Sequence, residues 1–431
     1  MTLMRDAKNG RITEEMKSLA KIENLPIDLI KRRIASGRII IPKNLKRNDK
    51  QEIKLVGIGE GLSTKVNVNI GTSTFVVDID MEVRKAKVAI EYGTDTIMDL
   101  STGGPLDTIR RKLIEIAPVP FGTVPIYQAF VEVAQKRKAG IYMTEDDLFN
   151  TIEKHLKDGV DFMTIHAGIL REHVLKMKKI RRIGGIVSRG GAILAAWMLY
   201  NDAENPLYKN YDYLLELFAE YDGVISLGDA LRPGTILDSH DYFQLAEMNT
   251  ISELVKRSWE KNVQVMVEGP GHVPLNEVAA NIKLEKALCY GAPYYVLGPL
   301  VTDIAAGYDH IAAAIGAAIA AAEGADLICY LTPAEHLSLP NEEQVKEGLI
   351  AAKIAAHAGD IVKLGNRAKK KDLEMSVARA ELNWMKMYSV SFDPTKAKAI
   401  HEQFGESSLG PCTMCGELCV YVLLKNFLKE E

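Results

Sequence analysis

Three cysteines fall within eight residues near the end of the chain: Cys412, Cys415 and Cys419, in the run Gly-Pro-Cys-Thr-Met-Cys-Gly-Glu-Leu-Cys. Only five cysteines occur in all 431 residues. Three thiolates in one short segment can hold a metal centre together. A structural zinc site is closed by four protein ligands in a tetrahedron. A [4Fe–4S] cluster held by three cysteines leaves one iron open to a small molecule, which points to chemistry rather than to a staple. The other two, Cys289 and Cys329, sit in apolar runs and read as buried, inert thiols. A clustered, odd-numbered set does not suit a disulfide framework, so a reducing, cytoplasmic compartment is expected.

A second group of reactive side chains is spread through the middle of the chain, at the ends of short apolar runs. These endings include Asn67-Val-Asn69, Met98-Asp99, Ile165-His166, Ser188-Arg189-Gly190-Gly191, Gly228-Asp229-Ala-Leu-Arg232, Glu268-Gly-Pro-Gly-His272, Tyr295 and Glu335-His336. A single polar residue after a strand is ordinarily a helix N-cap, but so many in one chain call for a shared purpose. The Ser188–Gly191 and Gly228-Asp229 runs suit an anion, because glycines let backbone N–H groups approach a phosphate and arginine supplies a fork of donors. His272 and His336 follow late strands. Two imidazoles on neighbouring loops could share a divalent ion, with positions left for water or substrate; two unrelated loop histidines fit the residues equally well. Glu268, four residues before His272, is a candidate partner of substrate or metal. His155, His173, His357 and His401 lie on helical stretches and read as packing or surface residues.

The elements that must position these groups alternate. Apolar runs at 65–70, 96–100, 122–125, 162–166, 185–188, 224–227, 263–267, 294–297 and 327–331 are separated by helical stretches, the pattern of parallel βαβ units. Eight such units close into a (β/α)8 barrel, whose active sites sit at the C-terminal mouth. Nine runs compete for eight places, so one, with the first as candidate, is expected outside the ring. An open doubly wound sheet is the second choice, but no dinucleotide fingerprint is present. The expected organisation is a small N-terminal domain at 1–63, a catalytic barrel at 64–340, and a helical C-terminal domain with the cysteine motif at 341–431. A net charge of −4 argues against a nucleic-acid surface. No signal peptide is visible, and no apolar run reaches the roughly 20 residues of a membrane span.

The runs Lys65-Val-Asn-Val-Asn-Ile-Gly-Thr-Ser73, 98–104, Gly122-Thr-Val-Pro-Ile-Tyr127-Gln, Ser188-Arg-Gly-Gly, Gly269-Pro-Gly-His-Val-Pro, Val296-Leu-Gly-Pro-Leu-Val-Thr-Asp and Pro333-Ala-Glu-His-Leu resemble the thiamin pyrimidine synthase family, ThiC. The likeness runs from about residue 35 to the final cysteines. It implies a radical S-adenosylmethionine enzyme with a (β/α)8 barrel, acting on 5-aminoimidazole ribonucleotide. It also implies a homodimer in which one subunit's C-terminal segment completes the other's active site, and an electron donor such as a flavodoxin or ferredoxin. Carried over by motif, the substrate contacts are Asn69, Met98, Tyr127, His166, Ser188, Arg189, Gly190, Asp229, Arg232, Glu268 and Tyr295. Glu268 and the three cysteines are the catalytic set. His272 and His336 bind zinc or another divalent ion, and Cys412, Cys415 and Cys419 hold the [4Fe–4S] cluster. In such an enzyme the open iron binds S-adenosylmethionine, and one electron breaks its sulfonium C–S bond. The resulting 5′-deoxyadenosyl radical takes hydrogen from the substrate ribose.

Several positions depart from the family pattern. The gap between Cys415 and Cys419 is three residues, where the family has four. Val68, Phe121, Ala230, Ala306 and Ser338 replace other residues beside matching motifs. An altered pocket lining leans toward the paralogous 5-hydroxybenzimidazole synthase of anaerobic cobamide lower-ligand biosynthesis. The alternative is the phosphomethylpyrimidine synthase of thiamin biosynthesis, with the same substrate and cofactors. Outside the family, a zinc-stabilised binding or scaffold protein and a barrel hydrolase using only the two histidines are the remaining readings.

Overall fold

The computed structural model describes residues 2–49, 53–405 and 410–425. Eight parallel strands close into a barrel: β1 (Lys65–Ile70), β2 (Thr96–Asp99), β3 (Phe121–Thr123), β4 (Phe162–Ile165), β5 (Val224–Leu227), β6 (Val265–Gly269), β7 (Tyr294–Leu297) and β8 (Leu327–Cys329). Neighbours in sequence are neighbours in the ring. β8 closes it onto β1, with Leu327 opposite Lys65 and Cys329 opposite Asn67. Strands packed on both faces are buried along nearly their whole length, which is why they read as continuous apolar runs rather than alternating ones.

The surrounding helices start on side chains that accept free backbone N–H groups. Asp78 caps Ile79–Glu91, a Thr144/Asp147 capping box opens Glu145–Asp158, and Asp241 caps Tyr242–Glu260. Their inner faces bury Ala86, Ala89, Leu148, Ile152, Leu156, Ile251, Leu254 and Val255 in one core continuous with the strands. Each buried leucine or isoleucine contributes about 1.5–3 kcal/mol relative to exposure.

The N-terminal helices Leu3–Lys8, Glu14–Glu23 and Ile27–Ala35 share a separate small core of Met16, Leu19, Ile30, Ile34 and Leu62. This segment meets the strand starts, leaving the opposite end of the barrel for the site. Lys65 Nζ lies 2.7 Å from Glu23 Oε1, both side chains buried. Burial pushes the Glu23 carboxyl up, but Lys65 and the Ser63 donors hold it below its ordinary value. Asn44 Nδ2 donates to the carbonyls of Leu156 and Val160, and Asp161 accepts from the N–H groups of Asn44 and Phe121.

Four sequence expectations need correction. The run 185–188 is not a strand: Ser188 is the N-cap of the helix Arg189–Asn201, its hydroxyl accepting from Gly191 N at 3.2 Å. The first run, Lys65–Ile70, is therefore inside the ring, between β8 and β2. The strand expected at 122–125 stops at Thr123, because Pro125 opens the helix Pro125–Arg137. The barrel also runs past 340. The helix Glu342–Leu364 follows β8 and sends Val345, Leu349, Ala352 and Ala355 into the main core, as the eighth barrel helix.

The chain divides into two compact units, Met1–Lys363 and Leu364–Glu431. At the junction end of the first unit, Asp360 accepts from Thr64 N and Thr64 Oγ1, a tie between positions 296 apart in sequence. The second unit carries the helices Lys370–Ala380, Trp384–Val390 and Pro394–Glu402. There His401 stacks on Trp384, with ring centroids 3.7 Å apart, and accepts or donates at Tyr388 Oη, the packing role expected of it. Among the described residues, no helix is long and apolar enough to cross a membrane.

Candidate active site

The strand ends deliver their polar groups to one cavity at the C-terminal mouth. It is lined by Asn69 from β1, Met98 from β2, Tyr127 from the helix after β3, Thr164 and His166 at the end of β4, Asp229 and Arg232 after β5, Glu268 from β6, Tyr295 from β7 and Cys329 from β8. All the substrate residues carried over by motif are in this lining except Ser188, Arg189 and Gly190.

Those three stand beside it. Ser188 Oγ is 3.1 Å from His166 Nε2. Arg189 lines the adjoining cavity with Asn69, Thr72, Thr102 and Glu335, and its guanidinium lies 5.0 Å from the centre of the Tyr127 ring. Gly190 packs so tightly that a Cβ there would come within 2.3 Å of the His166 ring. The neighbouring Gly191 also approaches Ala230 closely, with a Cβ 2.7 Å from its carbonyl oxygen. Two adjacent glycines thus let the start of a 13-residue helix close on β4 and on the loop after β5, and an N-terminus of that kind favours an anion.

Two of the cavity's lining residues, Asp229 and Glu268, carry carboxyl groups. Glu268 Oε1 accepts from Thr164 Oγ1 and from Ser226 Oγ, each at 2.7 Å, and burial pushes its carboxyl up. Asp229 Oδ1 accepts from Arg232 Nη1 at 3.0 Å. Burial, with Arg232 opposing and Glu268 reinforcing, pushes Asp229 up to about 7. His166 is driven down to about 3 by burial and by Arg232, so its imidazole is neutral. Asp229 Oδ2 and His166 Nδ1 are both buried without a hydrogen-bond partner. Two such orphans in one lining fit a polar ligand that supplies the missing partners. On the other side Asn67 Nδ2 donates to Asn69 Oδ1 and Tyr295 Oη, and Asn69 Nδ2 reaches Cys329 Sγ at 2.9 Å. Cys329 is buried as expected but belongs to the lining, a neutral thiol that burial pushes up to about 12.

His272 and His336 come together, their ring centroids 5.4 Å apart. Each turns Nδ1 to a carboxylate: His272 to Asp303 at 2.7 Å, His336 to Asp309 at 3.2 Å. Imidazoles anchored in this way present Nε2 to a metal, so the pair fits a divalent ion with further positions left open. In the second unit, Cys412, Cys415 and Cys419 lie around one turn, in which Gly416 N donates to Cys412 O and Gly416 has φ +50°. Backbone N–H groups of Cys415 and Met414 hold the Cys412 thiol below its ordinary value. Three thiols and the open geometry of a turn fit the donor set of a three-cysteine cluster. Among the described residues, no three His, Cys, Asp or Glu side chains are already gathered as a ligand set.

Of the departures from the family pattern, Val68, Phe121 and Ala230 are buried outside the cavity lining, and Ala306 and Ser338 are exposed. Sequence reasoning missed Thr164, Ser226 and Cys329. Thr164 stands on β4 two residues before His166, which follows the strand's end, so the period of two that puts alternate residues on one face was the available signal.

Residues 2–426 match the family described as Radical SAM ThiC. A protein named phosphomethylpyrimidine synthase from Ignicoccus hospitalis is 60% identical over 432 residues, covering 100% of this chain and 98% of its own. Proteins of the same name from Saccharolobus islandicus and Sulfurisphaera tokodaii are each 57% identical over 419 residues, covering 97% of this chain and 96% and 97% of their own.

Proposed function

The chain belongs to the radical SAM ThiC family, and on that premise we propose that it is a phosphomethylpyrimidine synthase, converting 5-aminoimidazole ribonucleotide to the phosphorylated hydroxymethylpyrimidine of thiamin biosynthesis. The observation that carries this reading is the 60% identity over the whole chain to a protein of that name. The burial of Val68, Phe121 and Ala230 outside the lining supports it too, since the lean toward 5-hydroxybenzimidazole synthase rested on a reshaped pocket.

Each group has a task in this reaction. The Ser188 hydroxyl, Arg189 and the start of the helix Arg189–Asn201 hold the phosphate. Asn69, Tyr295 and Arg232 orient the imidazole and ribose. His166, uncharged, offers Nδ1 as a hydrogen-bond partner rather than a second positive charge. Glu268, its carboxyl held by two hydroxyls and pushed up by burial, is placed to exchange a proton with the rearranging ring. Cys412, Cys415 and Cys419 would hold the [4Fe–4S] cluster, and His272 and His336 zinc or another divalent ion. When bound, the cluster with S-adenosylmethionine supplies the carbon-centred radical, and the protein supplies proximity and the exclusion of water. A second copy of the chain, whose C-terminal segment completes the site, a small one-electron carrier such as a flavodoxin or ferredoxin, and a cytoplasmic setting complete the proposal.

Anaerobic incubation of the reconstituted enzyme with the ribonucleotide, S-adenosylmethionine and a reductant tests it. Phosphorylated hydroxymethylpyrimidine in the mass spectrum is the expected product; fluorescent hydroxybenzimidazole in its place overturns the assignment.

A further inference from the structure

Two buried residues outside the cavity, Glu247 and Arg182, hold the loop that carries Asp229 and Arg232. This loop is a tight turn, with Arg232 N donating to Asp229 O at 3.1 Å. Its inner amides are not bonded to the barrel. Ala230 N and Leu231 N donate to the two carboxylate oxygens of Glu247, at 2.9 and 2.6 Å. Glu247 belongs to the helix Tyr242–Glu260 and is 2% exposed. The carbonyl of Leu231 accepts from Arg182 Nη2 at 2.6 Å, and the other end of the same guanidinium donates to the Gly185 carbonyl at 3.0 Å. Arg182 Nε is also 2.8 Å from Asp241, the cap of Glu247's helix.

Arg182 thus bridges two loops. One leads from Gly185 to Ser188 and Arg189, beside the cavity; the other carries Asp229 and Arg232. Asp238 reinforces the bridge, accepting from Ile183 N and Gly184 N at 3.0 and 2.6 Å. The loops then touch directly, Gly191 against Ala230. A structural role alone would be served by one backbone contact; here a carboxylate grips both amides and a guanidinium grips the carbonyl of the same turn.

We infer that Glu247 and Arg182 are positioning residues that lock the phosphate-side loop and the Asp229–Arg232 loop into one rigid unit, so that the ends of the ribonucleotide are held in fixed register. This rests on the substrate reading above, but the coupling of the two loops does not.

The test uses the full chain with Glu247→Gln, which sets an amide NH2 against a backbone N–H, and separately Arg182→Lys, which keeps the charge but gives up the forked contact. Amide hydrogen exchange by mass spectrometry is followed over 183–191 and 229–232, and 5-aminoimidazole ribonucleotide binding by calorimetry. In Glu247→Gln, exchange rises in both segments although Glu247 touches only one, and the ribonucleotide binds about tenfold more weakly or worse, the scale of one buried hydrogen bond. Arg182→Lys gives the same joint loosening, and serves alone if Glu247→Gln does not fold. Faster exchange confined to 229–232, or wild-type affinity in both folded variants, overturns the clamp. Wild-type protein that does not bind the ribonucleotide overturns the substrate reading instead, while the exchange data still decide the coupling.

Discussion

Asp229 and Glu268 line one cavity, and the protonation of Asp229 leaves a mark on stability. An acid whose pKa is higher folded than unfolded binds its proton more tightly in the native state. Between its unfolded value of about 4 and its folded value of about 7, the native protein therefore holds more protons than the unfolded chain. Stability contributed by this group is greatest below that window, falls as pH rises through it, and is fully lost above it. Asp229→Asn abolishes the slope; losing the Arg232 contact adds only a constant offset. Scanning calorimetry from pH 4 to 8 should show the variant gaining on the wild type as pH rises, and a difference that does not change with pH would refute the raised pKa. A Glu268→Gln variant should bind the ribonucleotide within a few-fold of wild type, since the amide oxygen can still accept from Thr164 and Ser226. Its turnover should fall by about a hundredfold or more, the usual scale of a lost general acid or base.

At the scale of elements, the helix Arg189–Asn201 is placed by its first three residues. Ser188→Ala removes its cap, at a cost of about 1 kcal/mol, measurable by urea unfolding. Gly190→Ala is more severe. The methyl would meet the His166 ring at 2.3 Å, so the helix start must retreat from β4. Ribonucleotide affinity should drop more than for Ser188→Ala; equal losses would show that the close approach is not what matters. The same helix shows where sequence reading reached its limit. Eight of the nine apolar runs are barrel strands, because a buried parallel strand leaves a compact run bounded by polar residues. The run at 185–188 has that composition as well, yet it stays a loop, gripped at Gly185 by Arg182 and at the preceding Gly184 by the distant Asp238, and the distant part of that hold leaves no local mark. Likewise Asn69, His166, Asp229 and Glu268 were legible because strand ends in a barrel must converge. Glu247 was not, since a carboxylate in mid-helix reads as a solvated face until the loop it grips is known.

For the whole molecule, the division at Lys363 and Leu364 puts the cavity lining in one unit and the three cysteines in the other. Cys412→Ala should lose bound iron, about four atoms per chain in the reconstituted wild type under the cluster reading, and all product formation. Its ribonucleotide affinity and the thermal unfolding of the barrel should be unchanged; weakened binding would mean that the cysteine segment shapes the cavity itself. Mixing Cys412→Ala chains, inactive alone, with the strongly impaired Glu268→Gln chains should restore activity if two copies share their sites, and should restore none if each chain works alone.

The seam where β8 meets β1, fastened by Asp360 to Thr64 across 296 positions, has a consequence for how the protein is made. At roughly 5–20 residues per second on the ribosome, β1 emerges about 15 to 60 s before the residues that seal it. Throughout that interval the nascent chain is an unfinished parallel sheet with open edges, each able to pair with a stranger. Yield in a foreign host should then respond to events during elongation more than to the stability of the finished fold. A chaperone that shelters nascent chains should raise it more than any additive that stabilises the completed barrel.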